Sequence, residues 1–92
     1  MEITKMLTLS TVHISKETAE MLDCIEGRYD VPLIVFNKDD CGWFIHVSDG
    51  FEEENMSHDL KKCLLFAKDL GCKWLCLDCD GEVLDYLEKF DW

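Results

Sequence analysis

The 92-residue chain is poor in the residues that interrupt packed structure: it has one proline and five glycines. That scarcity argues against a long linker or a disordered tail. No apolar run approaches the ~18–20 residues that a membrane-spanning helix requires, which excludes an integral helical membrane protein. The opening stretch MEITKMLTLSTVHI has polar interruptions, a single lysine and no small-residue cleavage site, so no secretory leader is expected there. Positive charge is also scarce. Nine Lys and Arg face twenty Asp and Glu, for a formal net charge of −11. Such a chain repels phosphate, which speaks against a direct DNA or RNA binder or a binder of anionic membranes. Missing too are a Gly-rich phosphate loop, a Gly-x-Ser-x-Gly elbow and a His-Glu-x-x-His zinc helix.

What is present is an ordinary globular balance, 48% apolar and 32% charged, in a length that makes one small domain over residues 1–92. Six cysteines would mark a disulfide scaffold in a secreted chain. Without an export signal, and with several cysteines inside apolar segments, the expectation is reduced, mostly buried thiols in a cytoplasmic protein.

Residues 6–14, MLTLSTVHI, read as a strand, but the parity shifts: Leu7 and Leu9 share one face, Val12 and Ile14 the other. Either a bulge or a strand end near Thr11 follows. Ser15 is a natural N-cap, Glu17 suits a first helical turn, and Thr18, Met21, Leu22 and Ile25 form one helical face that stops at Gly27. VPLIVFN (31–37) and GWFIHVS (42–48) read as a hairpin around a polar KDDC turn, with Trp43, Ile45 and Val47 on one face and Phe44 and His46 on the other. Ser57 opens a second helix that ends at Gly71, with Leu60, Cys63, Leu64, Ala67 and Leu70 as its buried stripe and Lys61, Lys62 and Lys68 toward water. CKWLCLD (72–78) is the last strand. The tail GEVLDYLEKFDW has helical spacing at Val83, Leu87 and Phe90, yet it is short and follows an Asp-Gly turn, so helix and strand both stay open. The order is β-α-β-β-α-β plus a tail. It predicts an α+β fold, a single sheet of about four strands with two helices on one face, in the ferredoxin-like order.

Asp78-Cys79-Asp80-Gly81, at the end of an apolar strand, is written like the nucleophile motif of haloacid-dehalogenase-like phosphatases. That chemistry needs a downstream lysine, a second acidic pair for magnesium and a doubly wound sheet. Too little chain follows Gly81 to build them, and a calcium-loop pattern fails as well. The plain reading is a strand end turning through Asp-Gly. No catalytic residue, metal site or cofactor is therefore assigned, and the chain is read as non-enzymatic. An alternative is a small zinc- or thiol-dependent module using Cys72, Cys76 and Cys79, since Cys76 and Cys79 have Cys-x-x-Cys spacing. Against it, a strand over 73–78 points Cys76 and Cys79 to opposite faces, and acidic surroundings raise a thiol pKa. His13, His46 and His58 stand in no motif and read as satisfied polar residues.

The acids remain. Asp49, Glu52, Glu53 and Glu54 form one cluster, and Asp78, Asp80, Glu82 and Asp85 lead another. A run of carboxylates is usually a solvated face that keeps a protein soluble. Here it also suits a basic protein partner, including one whose nucleic-acid-binding surface it would occupy, with Trp43, Trp74 or Trp92 as anchors where exposed.

STVHISKETAE (10–20), GWFIHV (42–47) and WLCLDCDG (74–81) with the closing Asp91-Trp92 resemble a family of uncharacterised short acidic bacterial proteins. These are carried on mobile genetic elements such as integrative elements, plasmids and phages. The resemblance implies a mobile-element accessory protein and no assigned activity. Taken with the charge, it gives the expectation of an acidic interaction module, a counter-defence or regulatory inhibitor that acts on a basic partner.

Overall fold

The computed structural model describes residues 1–28, 30, 33–39, 41–48 and 56–92. The elements are β1 (Met6–Ser10), a 3-10 turn (Thr11–His13), α1 (Lys16–Ile25), β2 (Val35–Lys38), β3 (Gly42–His46), α2 (His58–Asp69) and β4 (Trp74–Asp78). The fold is α+β with the chain order expected from the sequence. β1 stops just before Thr11, where the parity of the apolar residues changes. The Ser10 hydroxyl accepts from the Val12 amide at 3.1 Å and starts the 3-10 turn there.

In α1 the Ser15 hydroxyl caps the helix by accepting from the Thr18 amide at 3.2 Å. α2 ends in a left-handed cap: the Gly71 amide donates to the Lys68 carbonyl and the Cys72 amide to the Ala67 carbonyl, both at 2.9 Å. Gly71, at φ +77°, supplies the conformation that this cap needs.

The strands lie in the order β1-β4-β3-β2. β1 runs parallel to β4, pairing Met6 with Trp74 through Ser10 with Asp78, while β3 is antiparallel to both β4 and β2. The sheet is thus mixed, where a split βαβ unit would place one strand between β1 and β2. α2 starts at the end of the sheet where β3 begins, with Asp59 bonded to Ser15 just beyond β1, so α2 delivers β4 beside β3 and antiparallel to it. The C-terminal ends of β1 and β4, the β2–β3 turn and the N-termini of both helices all meet at that end.

Both helices cover one face. Leu9, Val35, Trp43, Ile45, Leu75 and Leu77 of the sheet join Leu22 of α1 and Leu60, Cys63, Leu64 and Ala67 of α2 in one buried core. Each fully buried leucine contributes about 1.5–3 kcal/mol of transfer free energy. The other face carries Phe36, Phe44, His46 and Trp74, all half-buried. Cys76 is buried among them, apart from the main core. The Trp74 ring meets His46 edge-on at 5.0 Å and Phe36 at 6.1 Å between centroids.

The tail is neither helix nor strand. Glu82 makes one parallel bridge to Leu9, and the Ser10 amide donates to the Glu82 carbonyl at 2.8 Å. Gly81 is required at this crossing, because a Cβ there would overlap the Leu9 carbonyl. Farther on, the buried His13 ring holds the tail by both nitrogens. Nε2 accepts from the Leu84 amide and Nδ1 faces the Glu88 carbonyl, each at 2.9 Å. A carbonyl only accepts, so the proton sits on Nδ1 and the imidazole is neutral. The Phe90 amide to the Val12 carbonyl and Trp92 Nε1 to the Ile14 carbonyl, both 2.8 Å, finish the strap.

Candidate functional site

The Asp-x-Asp-Gly stretch is a turn with a specific environment. Asp78 closes β4 opposite Gly42, at the mouth of the β2–β3 hairpin. One of its oxygens, Oδ2, pairs with Lys38 Nζ. The other, Oδ1, accepts from the Asp80 amide at 2.8 Å and lies 3.3 Å from Cys41 Sγ. The hydrogen bonds from Lys38 and the Asp80 amide hold the Asp78 carboxyl below the usual carboxylate range, and the same pairing raises Lys38. Asp80 is exposed beside it.

Cys41 and Cys79 form a disulfide, with Cα atoms 5.3 Å apart, joining the hairpin turn to the residue after β4. The Cys79 amide also donates to the Cys41 carbonyl at 2.8 Å. This corrects the expectation of six reduced thiols. Cys24 is free and exposed, while Cys63, Cys72 and Cys76 are free and buried. Burial pushes the Cys63 thiol up to about 12, and burial likewise raises Cys76.

The alternative trio of Cys72, Cys76 and Cys79 does not converge on one point. Cys72 belongs to the helix-side core, Cys76 to the opposite face, and Cys79 is bonded to Cys41. The Cys-x-x-Cys spacing is an accident of strand alternation followed by a turn.

Beside the disulfide opens a groove of about 390 Å³, lined by Thr11, Asp23, Asn37, Asp39, Cys41, Gly42, Trp43, Cys79 and Trp92. Asp23 and Asp39 are exposed, and no Lys or Arg is among the described residues that line it. Asp23 Oδ1 accepts from Trp43 Nε1 at 2.9 Å, which fixes one wall. Asp39 sits in the hairpin turn at φ +51°, a conformation that Asp tolerates better than most residues. Trp92 is 55% exposed and forms another wall, Trp74 is half-buried on the open sheet face, and Trp43 is buried.

Of the acids picked out from the sequence, Asp49, Glu52, Glu53 and Glu54 lie outside the described residues. Asp78 and Asp80 come together with the disulfide, while Glu82 and Asp85 are exposed on the tail. Asp23, Lys38, Asp39 and Cys41 were not foreseen. Cys41 alone carried a signal, as a cysteine next to a hairpin turn, but its partner is 38 residues away and only the sheet register brings them together.

A second polar cluster, built on one acid, lies in the helix layer. The buried Asp59, in the first turn of α2, accepts from the Ser15 amide at 2.6 Å and from the Thr18 hydroxyl at 2.8 Å. Thr18 Oγ1 also lies 2.8 Å from Ser57 Oγ. Burial works to raise this carboxyl, but the bonds from Ser15, Thr18 and Ser57 outweigh it and hold the group below its ordinary value.

The chain belongs to the family described as "Family of unknown function (DUF5983) C-terminal domain", whose model matches residues 6–92. No curated protein and no solved structure matches it.

Proposed function

We propose, for a chain whose family carries no assigned activity, a non-enzymatic interaction module that presents acidic surface to a basic protein. The observation that carries this reading is the groove at the disulfide end. Two exposed carboxylates, Asp23 and Asp39, flank it without a cation among its described lining residues, and an exposed indole stands beside them. An arginine or lysine entering there gains a carboxylate partner and an aromatic face together, the combination that recognises guanidinium best. The net charge of −11 steers such a partner from a distance. In the bacterial mobile-element setting that the sequence resemblance implies, the partner is a cytoplasmic defence or regulatory protein. Its nucleic-acid-binding groove is occupied and so inhibited.

The test begins with capture of partners from the host lysate and elution with rising salt. The purified partner is then titrated with this chain between roughly 50 and 500 mM NaCl, where the screening length falls severalfold. Binding that weakens steeply with salt and displaces nucleic acid from the partner is the expected result. The double variant Asp23→Asn/Asp39→Asn keeps the acceptor for Trp43 and is expected to bind about tenfold more weakly, the loss of about 1.4 kcal/mol. Salt-independent binding, or full affinity in that variant, refutes the reading.

A further inference from the structure

The ligand atoms of Cys41, Asp78, Cys79 and Asp80 all lie within 4.8 Å of one another. We propose that reduction of the Cys41–Cys79 bond converts this corner into a site for one divalent cation of the zinc type, held by two thiolates and two carboxylates. The donor set is the argument. Paired cysteine sulfurs select a borderline-soft ion such as Zn²⁺ over Mg²⁺ or Ca²⁺, and four-coordinate zinc accepts carboxylate oxygen beside sulfur. A tetrahedral ion with bonds of about 2.0–2.3 Å needs its ligand atoms about 3.3–3.8 Å apart. The two sulfurs, bonded to each other in the oxidised chain, separate on reduction, and the most distant ligand atoms need to close by roughly 1 Å.

The surroundings are already arranged for this. The sheet register fixes Asp78 opposite Gly42, and the Cys79 amide bond to the Cys41 carbonyl holds the two cysteines together independently of the sulfur bond. Lys38 grips Asp78 Oδ2 while Oδ1 faces the Cys41 sulfur. This is the outer support that orients a ligating carboxylate, and the lysine offsets part of the fourfold negative charge of the ligands. Lys38 is thus a positioning residue for the ion.

The chemistry balances. A dithiol reductant supplies two electrons and two protons, the sulfur–sulfur bond breaks, two thiols form, and the reductant closes to its own disulfide. Entry of the ion then displaces both thiol protons to solvent, so binding strengthens as pH rises. The oxidised chain has no thiolates at this corner and is not a site. The inference is independent of the acidic-groove reading, which is tested by salt on the oxidised protein.

The experiment is a cobalt(II) titration of the full chain, oxidised and after treatment with a phosphine, which takes up an oxygen from water as it delivers the two electrons. Reduced protein is expected to bind one Co²⁺ with a thiolate-to-cobalt charge-transfer band and tetrahedral visible bands, both bleached by Zn²⁺. Oxidised protein gives neither. Cys41→Ser is expected to abolish the band and Cys76→Ser to leave it. Lys38→Met is expected to weaken binding about tenfold. No charge-transfer band in the reduced chain overturns the proposal, whether or not that chain stays folded. So does a band that survives in Cys41→Ser, because the ion then sits on other thiols. The oxidised-against-reduced comparison needs no substitution, and so does not depend on whether a variant folds.

Discussion

Two carboxylates sit at the same end of this molecule and are satisfied in opposite ways. Asp59, in the helix layer, is surrounded by neutral donors: the Ser15 amide at the start of α1 and the hydroxyl of Thr18. Asp78, on the rim of the sheet, is held by a lysine and by a turn amide, beside a covalent cross-link. The first cluster closes on itself. Its donors belong to the helix starts that it joins, and a carboxylate near two helix N-termini is favoured by both dipoles. The second contains groups that exchange partners, namely an ion pair and a disulfide that a reductant opens. Structural acid and chemically available acid are told apart here by what donates to them.

The largest expected effect tests the covalent half of that contrast. Cys41 and Cys79 close a loop across 38 residues, for which chain entropy alone gives roughly 3–4 kcal/mol. Reduction is expected to lower the unfolding free energy from a urea titration by that amount, and zinc added to the reduced chain to restore part of it. A reduced chain as stable as the oxidised one would mean that the backbone pairing of Cys79 with Cys41 already does the work of the bond.

Next comes the helix-layer acid. Asp59→Ala leaves the Ser15 amide without an acceptor in a half-buried position and removes the charged acceptor of the Thr18 hydroxyl, an expected cost of about 3 kcal/mol by urea denaturation. The pH dependence has a definite sign. A carboxyl whose folded pKa lies below its unfolded value stabilises the fold above about pH 3.9, and that stabilisation is lost as pH falls through the folded value. Wild-type stability is therefore expected to decline below about pH 4, and Asp59→Ala to flatten that decline. An unchanged acid limb would assign it to Asp78 or to the general charge of the chain.

Much of this arrangement was legible in the residues and some was not. The parity shift at Thr11 gave the end of β1, because a chain that leaves a strand into a 3-10 turn cannot keep alternating. Ser15, Ser57 and Gly71 marked helix boundaries by local chemistry, and Trp43, Ile45 and Val47 are buried as alternation required. His13 reads correctly as a satisfied polar residue, although its partners, Leu84 and Glu88, lie more than 70 residues away. What failed to show was everything set by long-range pairing. The mixed strand order follows from which end of the sheet α2 starts at, which no local pattern records. Cys76-x-x-Cys79 drew attention as a pair, but a strand ends between the two residues, so the true partner of Cys79 is the cysteine across the sheet. Asp78 was grouped with the solvated acids, and the lysine that claims it, Lys38, appeared only as the edge of a turn.

The smallest expected effect separates the two carboxylates most sharply. Asp78 and Lys38 have side-chain exposures of 14% and 33%, so solvent reaches the pair and discounts it. Asp78→Asn keeps the acceptor for the Asp80 amide and removes only the charge, so its cost at low salt is expected to be the smallest of the three. The loss is expected to shrink further at high ionic strength, since a pair that solvent reaches is screened. Asp59→Ala has no ion pair to screen among its described partners, and its cost is expected to stay constant across the same salt series. If the cost of Asp78→Asn also failed to vary with salt, the Lys38 contact would have to act through packing over the Phe44 ring, whose centroid lies 5.8 Å from the ammonium. The rim cluster would then be as fixed as the helix-layer one, and Lys38 would lose its claim to act on Asp78 through charge.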